Sequence, residues 1–180
     1  MNTADIRAQE ILSRLGRSPA GAEIGVYQGA LSRRLLVRGD LSLIMVDSWG
    51  VYRDTYAASG DLLADDDEIA QHNNRETADV LTRFAGDRRR IIHADSVKAA
   101  DQVADASLDF VFIDADHSYE SVRADILAWL PKIRPAYEGH HGGTLAGHDY
   151  DREGVRRAVR ETLGGRFRVW KTCWIVDGGR

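Results

Sequence analysis

Phe110-Val111-Phe112-Ile113-Asp114 is a short apolar run, rich in β-branched and aromatic residues, that stops at an aspartate. The same pattern recurs in Leu43-Ile44-Met45-Val46-Asp47, Ile91-Ile92-His93-Ala94-Asp95 and Thr144-Leu145-Ala146-Gly147-His148-Asp149. A further run, Glu23-Ile24-Gly25-Val26, carries its acid at the front and opens into a glycine-bearing turn. Runs of this length and composition read as buried parallel strands. In an open α/β sheet, ligands bind outside the carboxyl ends of the strands. A row of carboxylates there is costly to desolvate and contributes little to a core, so it points to a ligand site rather than to packing.

Between these runs the apolar residues change to helical spacing. Ile6, Ile11, Leu12 and Leu15 mark a first helix, and Leu31, Leu35 and Leu36 a second one opened by Gly29-Ala30. Val80, Leu81 and Phe84 mark a helix over 76–84, followed by a weak one around 97–103. Val122, Ile126, Trp129 and Leu130 line a helix over 118–130, and Val155, Val159 and Leu163 one over 153–163. Two short strands at 166–170 and 173–176 lie too close for a helical crossover and must pair antiparallel. This order predicts an α/β, Rossmann-like, doubly wound sheet of seven strands with helices on both faces. The sheet is expected to be mostly parallel, with one antiparallel C-terminal strand. Residues 50–74 lack sustained periodicity, and a connection that long reads as a lid or substrate loop.

A chain of 180 residues is expected to form one domain, spanning 1–180. A hydrophobic share of 43% and a charged share of 29% are ordinary for a globular protein. A formal charge of −4 argues against a nucleic-acid partner, because phosphate binding needs a basic face. Arg88-Arg89-Arg90 and the arginines at 152, 156, 157 and 160 are read as solvated surface. The one cysteine, Cys173, permits no intramolecular disulfide and reads as a packed small side chain. No charged N-terminal region followed by an apolar core is visible, and no apolar stretch approaches bilayer length. The expectation is a cytoplasmic protein with no membrane partner.

Glu23-Ile24-Gly25-Val26-Tyr27-Gln28-Gly29 reads as strand, turn and helix entrance, with glycines that let the backbone pass close to a ligand. It is not the dinucleotide fingerprint, because Tyr27 takes the place of the middle glycine. Asp47 ends the second strand two dozen residues after Glu23, where an acid can accept ribose hydroxyls. The two elements together describe an adenosine-type ligand. Trp49, just beyond, either lies against the nucleoside or roofs the core.

With these residues in view, the chain resembles the class I S-adenosylmethionine-dependent methyltransferases over nearly its whole length. The specific motifs are Phe112-Ile113-Asp114-Ala115-Asp116-His117-Ser118-Tyr119 and Gly142-Gly143-Thr144-Leu145-Ala146-Gly147-His148-Asp149-Tyr150. They are similar to those of a small bacterial group within that family, distantly like the catechol-type O-methyltransferases. The resemblance implies a cofactor site in which Glu23, Gly25, Tyr27 and Gly29 hold the methionine part. It likewise implies Asp47 and Trp49 at the ribose side, and Asp95 with Ser96 at the adenine.

Asp114, Asp116, His117, His148 and Asp149 are expected to converge over the cofactor cleft. In one reading Asp114, His148 and Asp149 hold a divalent metal such as Mg, and His117 is the general base, with Asp114 beside it. In the other reading the site is metal-free: His117 caps the following helix, His148 bonds backbone, and Asp149 caps the last helix. His-Asp stands where the catechol-type enzymes have Asp-Asn, and His117 where they have lysine, so the resemblance leaves metal and base open. His140 and His141 read as an exposed turn, and His72 has no evident partner. The expected function is methylation of a hydroxyl oxygen on a small molecule or sugar, by an enzyme that has room to form a homodimer. A nicotinamide-dependent oxidoreductase and a non-catalytic cofactor-binding domain are the alternatives.

Overall fold

The computed structural model describes residues 3–51, 67–138 and 142–177. The elements run α1 (Thr3–Leu12), β1 (Ala20–Ile24), α2 (Ala30–Val37), β2 (Ser42–Asp47), α3 (Glu68–Thr82), β3 (Arg89–His93) and α4 (Ser96–Ala100). They continue with β4 (Phe110–Ile113), α5 (Tyr119–Trp129), β5 (Thr144–Gly147), α6 (Glu153–Leu163), β6 (Arg168–Trp170) and β7 (Cys173–Asp177). The strands form one sheet in the order β3-β2-β1-β4-β5-β7-β6. β7 is the antiparallel strand, paired with β5 on one side and β6 on the other. The expected architecture is therefore the observed one.

The strand period of two sorts the core into two layers. Phe110 and Phe112 of β4, with Leu43 and Met45 of β2, face α1, α2 and α3 through Ala8, Ile11, Leu31, Leu35, Leu36 and Ala78. Val111 and Ile113, with Ala22, Ile24 and Val46, face α4, α5 and α6 through Ala100, Ile126, Trp129 and Val159. Burial on both sides is why the strands read as unbroken apolar runs. Each fully buried large side chain of this set, Phe110 or Leu35 for example, contributes about 1.5–3 kcal/mol. Cys173 is buried, as a packed small side chain should be. Among the described residues, no helix is long and apolar enough to cross a membrane.

The strand order reverses at β1, which lies between β2 and β4. At such a switch point the two following connections leave to opposite faces and open a crevice. Gly25 and Asp114 sit side by side at its floor: Gly25 donates its N–H to Val46 O at 2.9 Å, and Asp114 donates its N–H to Ile24 O at 2.7 Å.

One boundary differs from the sequence reading. α3 begins at Glu68, so Glu68–Asn74 belong to a helix rather than to the expected 50–74 loop. Asp67 caps it, its side chain accepting the N–H of Ala70 at 2.9 Å. The helix buries a mostly polar stripe of Gln71, Asn74, Ala78 and Thr82, so its N-terminal half has no hydrophobic period to detect. Gln28 meets Asn74 by a 2.9 Å side-chain hydrogen bond, and Thr82 donates to Ala78 O at 2.7 Å. Val80 and Phe84, read as the buried face, are exposed instead. His72 lies on the exposed side of α3, and residues 52–66 of the expected lid, like His140 and His141, lie outside the described residues.

Candidate functional site

Two cavities meet at the crevice. The first, of about 200 Å³, lies over the ends of β1, β2, β3 and β4. Asp47, Asp95, Asp114, Asp116 and Asp125 line it, and among the described residues no lysine, arginine or histidine does. The second, of about 370 Å³, opens toward α1 and is lined by Arg7, Glu23, His117, His148 and Asp149 among others. Gly25, Tyr27, Asp114 and Ala115 border both. A ligand filling the first cavity therefore presents one end to the second.

The turn after β1 is shaped by left-handed backbone at Gly25 (φ 88°), Tyr27 (φ 52°) and Gly29 (φ 78°). Asp47 holds that turn in place. Its Oδ2 accepts the N–H groups of Val26 and Tyr27, both at 2.8 Å, and its Oδ1 accepts that of Trp49 at 2.8 Å. A carboxylate offers about four lone-pair sites, so three are already in use and one is left for a ligand. Burial raises the Asp47 carboxyl above its ordinary value, against the pull of those three N–H groups. Glu23 is 2% exposed and accepts the Ser32 hydroxyl; burial pushes its carboxyl up to about 8.

Two residues read from sequence as cofactor contacts stand elsewhere. Trp49 turns inward to the core, its Nε1 donating to Tyr27 O at 2.9 Å, so it roofs the core and lines neither cavity. Gly29 also lines neither cavity; a Cβ there would lie 3.0 Å from Ala78 Cα, so glycine serves the packing of α2 on α3. Asp95 and Ser96 do line the first cavity, Asp95 also capping α4 through the N–H of Val97 at 3.1 Å.

Asp125 was missed. It is 4% exposed on α5 and lines the first cavity, and Ser96 is held from α5 twice, by Asp125 and by Trp129 Nε1 at 2.9 Å. The signal was present: an acid three positions after Val122 and one before Ile126 falls inside the apolar stripe of the helix. Burial pushes its carboxyl up to about 7, against the Ser96 hydrogen bond.

Glu23 and Asp125 make stability depend on pH in a definite direction. Both have folded-state values above their unfolded ones, so the native state holds protons that the unfolded chain releases. Their contribution is complete below about pH 4 and lost as pH rises to about 7 for Asp125 and about 8 for Glu23. Between pH 5.5 and 7 the Asp125 proton alone accounts for about 2 kcal/mol. The melting temperature should fall on going from pH 5.5 to 8, and Asp125→Asn should remove roughly 4–8 °C of that fall. An Asp125→Asn profile parallel to the parent's would overturn the assignment.

On the other side of Gly25, Asp149 stands at φ 54°, a strained conformation for a residue with a side chain. Its Oδ2 lies 2.9 Å from His117 Nε2 and 3.0 Å from His148 Nδ1. Burial opposes its charge, but the two imidazole hydrogen bonds outweigh that and hold the carboxyl well below the usual carboxylate range. His148 Nε2 lies 2.8 Å from Thr172 Oγ1, which the β6–β7 turn brings to the site. Asp114 is ion-paired with the Arg7 guanidinium of α1 and lies 3.6 Å from His148 Nδ1. Burial is the largest influence on Asp114 and raises it, Arg7 and His148 pulling the other way.

The helix caps expected of His117 and Asp149 in the metal-free reading are not the ones observed. Ser118, not His117, caps α5, accepting the N–H of Ser121 at 3.3 Å. The N-cap of α6 is Arg152, and the Asp149 carboxylate faces the histidines. Asp114, His117 and Asp149 bring one donor atom each within 4.8 Å of one another. His148, read as a ligand from sequence, stands beside that group and is engaged by Arg7, Asp149 and Thr172.

The profile of the methyltransferase domain family matches residues 22–150. No curated protein matches the chain. Among solved structures, cofactor-bound Rv0187 from MTB superposes with a TM-score of 0.62 at 16% identity, over 97% of this chain and 79% of that one. A SAM-dependent O-methyltransferase from Thermotoga maritima gives 0.60 at 13% identity, over 93% of this chain and 52% of its own. Spermidine synthase from Thermotoga maritima gives 0.60 at 14% identity, over 97% and 59%. The chain thus spans little more than half the length of the last two. At these identities the likeness is one of fold, shared by proteins whose names differ in chemistry.

Proposed function

The chain belongs to the methyltransferase domain family, and from that premise we propose that it transfers the methyl group of S-adenosylmethionine to a hydroxyl oxygen of a small molecule, a sugar hydroxyl first among candidates. The observation that carries this reading is the pairing of a cavity that is acid-lined and, among the described residues, free of basic side chains with an imidazole–carboxylate cluster across Gly25 and Asp114. A sulfonium placed where the two cavities meet, at Gly25 and Asp114, is attracted by the carboxylates of the first. A nicotinamide dinucleotide would bring a pyrophosphate against the same carboxylates with no helix-entrance glycine fingerprint to receive it, which counts against the oxidoreductase alternative.

Methyl transfer requires the acceptor oxygen, methyl carbon and sulfur in line, and positioning supplies much of the rate. The adenosine end is assigned to Asp47, Asp95 and Ser96, and the methionine end to Glu23, Gly25 and Tyr27. The acceptor occupies the second cavity, of a size suited to a small molecule. Its hydroxyl proton passes to His117, and Asp149, kept ionised, stabilises the imidazolium that forms.

Asp114, His117 and Asp149 form a mixed nitrogen and oxygen set whose donor types fit Mg, Mn or Zn. They are the residues that would hold such an ion, and it would supply positive charge to the acceptor oxygen. Asp114 would first have to part from Arg7.

Titration of the melting temperature tests the cofactor. At about one hundred times its dissociation constant, S-adenosylhomocysteine should stabilise the fold by about 2.7 kcal/mol, a rise of roughly 5–10 °C. NAD should leave the melting temperature unchanged. A rise with NAD, or none with S-adenosylhomocysteine, would sink the reading.

A further inference from the structure

Arg7 lies on α1, separated by 107 residues from Asp114 and by 141 from His148, yet its guanidinium reaches both. One end pairs with the Asp114 carboxylate; the other, Nη2, lies 3.0 Å from His148 Nδ1 and 2.9 Å from its Nε2. Nη2 is thus nearly equidistant from the two ring nitrogens and meets the ring rather than one lone pair. Nδ1 also lies 3.0 Å from Asp149 Oδ2, and Nε2 lies 2.8 Å from Thr172 Oγ1.

Stability does not explain the arrangement. Arg7 and Asp114 side chains are 18% and 17% exposed, and Arg7 Nε is buried with no hydrogen-bond partner. A desolvated, incompletely bonded guanidinium returns less than an apolar side chain of similar size would. α1 is already anchored without it, through Ala8 and Ile11 in the core and through the Asp5–Arg34 ion pair.

We propose that Arg7 is the resident cation of the acceptor site: its guanidinium occupies the Asp114 carboxylate that a divalent ion held by Asp114, His117 and Asp149 would need, so guanidinium and metal exclude each other. The argument rests on the acceptor cavity of the reading above and makes α1 part of the site. Arg7 is then a positioning residue, holding Asp114 and turning His148 so that Asp149 is presented to His117. The carboxylates keep a counter-charge without added metal. Breaking the pair exposes a donor set that a divalent ion can fill.

Binding of Mn²⁺ alone, followed by electron paramagnetic resonance, tests this without any acceptor. The parent chain and Arg7→Lys, which keeps a cation, should bind no Mn²⁺ stoichiometrically at millimolar concentration. Arg7→Met, which keeps the length and loses the charge, should bind one Mn²⁺ at least about tenfold more tightly, a difference of about 1.4 kcal/mol. Arg7→Met combined with Asp114→Asn should lose that gain. Equal binding by parent and Arg7→Met, or no gain in Arg7→Met, overturns the proposal. Should Arg7→Met not fold, the melting temperature of the parent decides: a rise with Mn²⁺ overturns the proposal and no change supports it. The S-adenosylhomocysteine titration fails or succeeds independently, so loss of this inference and loss of the cofactor reading are told apart.

Discussion

Asp149→Asn is expected to lower the rate of methyl transfer by about 100-fold or more, the range ascribed to a positioned proton acceptor, with the affinity for S-adenosylhomocysteine changed by no more than about threefold. The variant is chosen to spare the fold. Asparagine has the same shape and tolerates the left-handed backbone at φ 54° better than most side chains. What it removes is charge. The carboxylate accepts from two imidazoles, at 2.9 Å and 3.0 Å, and an amide oxygen can still accept but cannot stabilise the imidazolium formed when His117 takes a proton. His117→Ala should cost a similar factor, and the two changes together little more than either, because the pair acts as a unit. Single-turnover rates with a screened acceptor, beside calorimetric titration of S-adenosylhomocysteine, make the test. A double variant whose loss equals the product of the single losses would show that the residues act separately.

Gly25→Ala should abolish S-adenosylhomocysteine binding and lower the melting temperature by roughly 6–12 °C, the equivalent of about 3 kcal/mol. A Cβ at Gly25 would lie 2.2 Å from Asp114 O, 2.6 Å from Asp114 C and 2.8 Å from Ala115 Cα, all of them backbone that cannot rotate away. The same residue has φ 88°, which alanine disfavours even in open space. Gly164 separates the two effects: it has φ 57° at the end of α6, with nothing within 4 Å of its Cβ position. Gly164→Ala should therefore cost only the conformational part, about 1 kcal/mol. If both alanine variants melt together and both still bind S-adenosylhomocysteine, the close approach of β1 and β4 is not what Gly25 is for.

Legibility followed the range of the interaction. The acids at strand ends were visible because the strands are buried on both faces and each apolar run stops where the sheet does. Asp47 and Asp95 both line the first cavity, although Asp47 spends three of its lone-pair sites on backbone N–H groups. The start of α3 was illegible because its buried stripe is built of Gln71, Asn74, Ala78 and Thr82 rather than of large apolar residues. Gly29 and Trp49 were assigned to the ligand because a glycine or a tryptophan near a strand end looks alike whether it faces a cofactor or a neighbouring helix.

By itself the sequence determined the layered sheet, the switch point after β1 and the acids that end the strands. Those are consequences of local period and of chain order, which act between residues close in sequence. Only the tertiary structure decided how the rim divides. Among the described residues it placed five carboxylates and no cation around one cavity, bound Asp149 to two imidazoles, and brought Arg7 to Asp114 across 107 residues. A side chain 107 residues away leaves no periodic trace, and a guanidinium's choice of partner depends on burial and distance that exist only once the chain has folded.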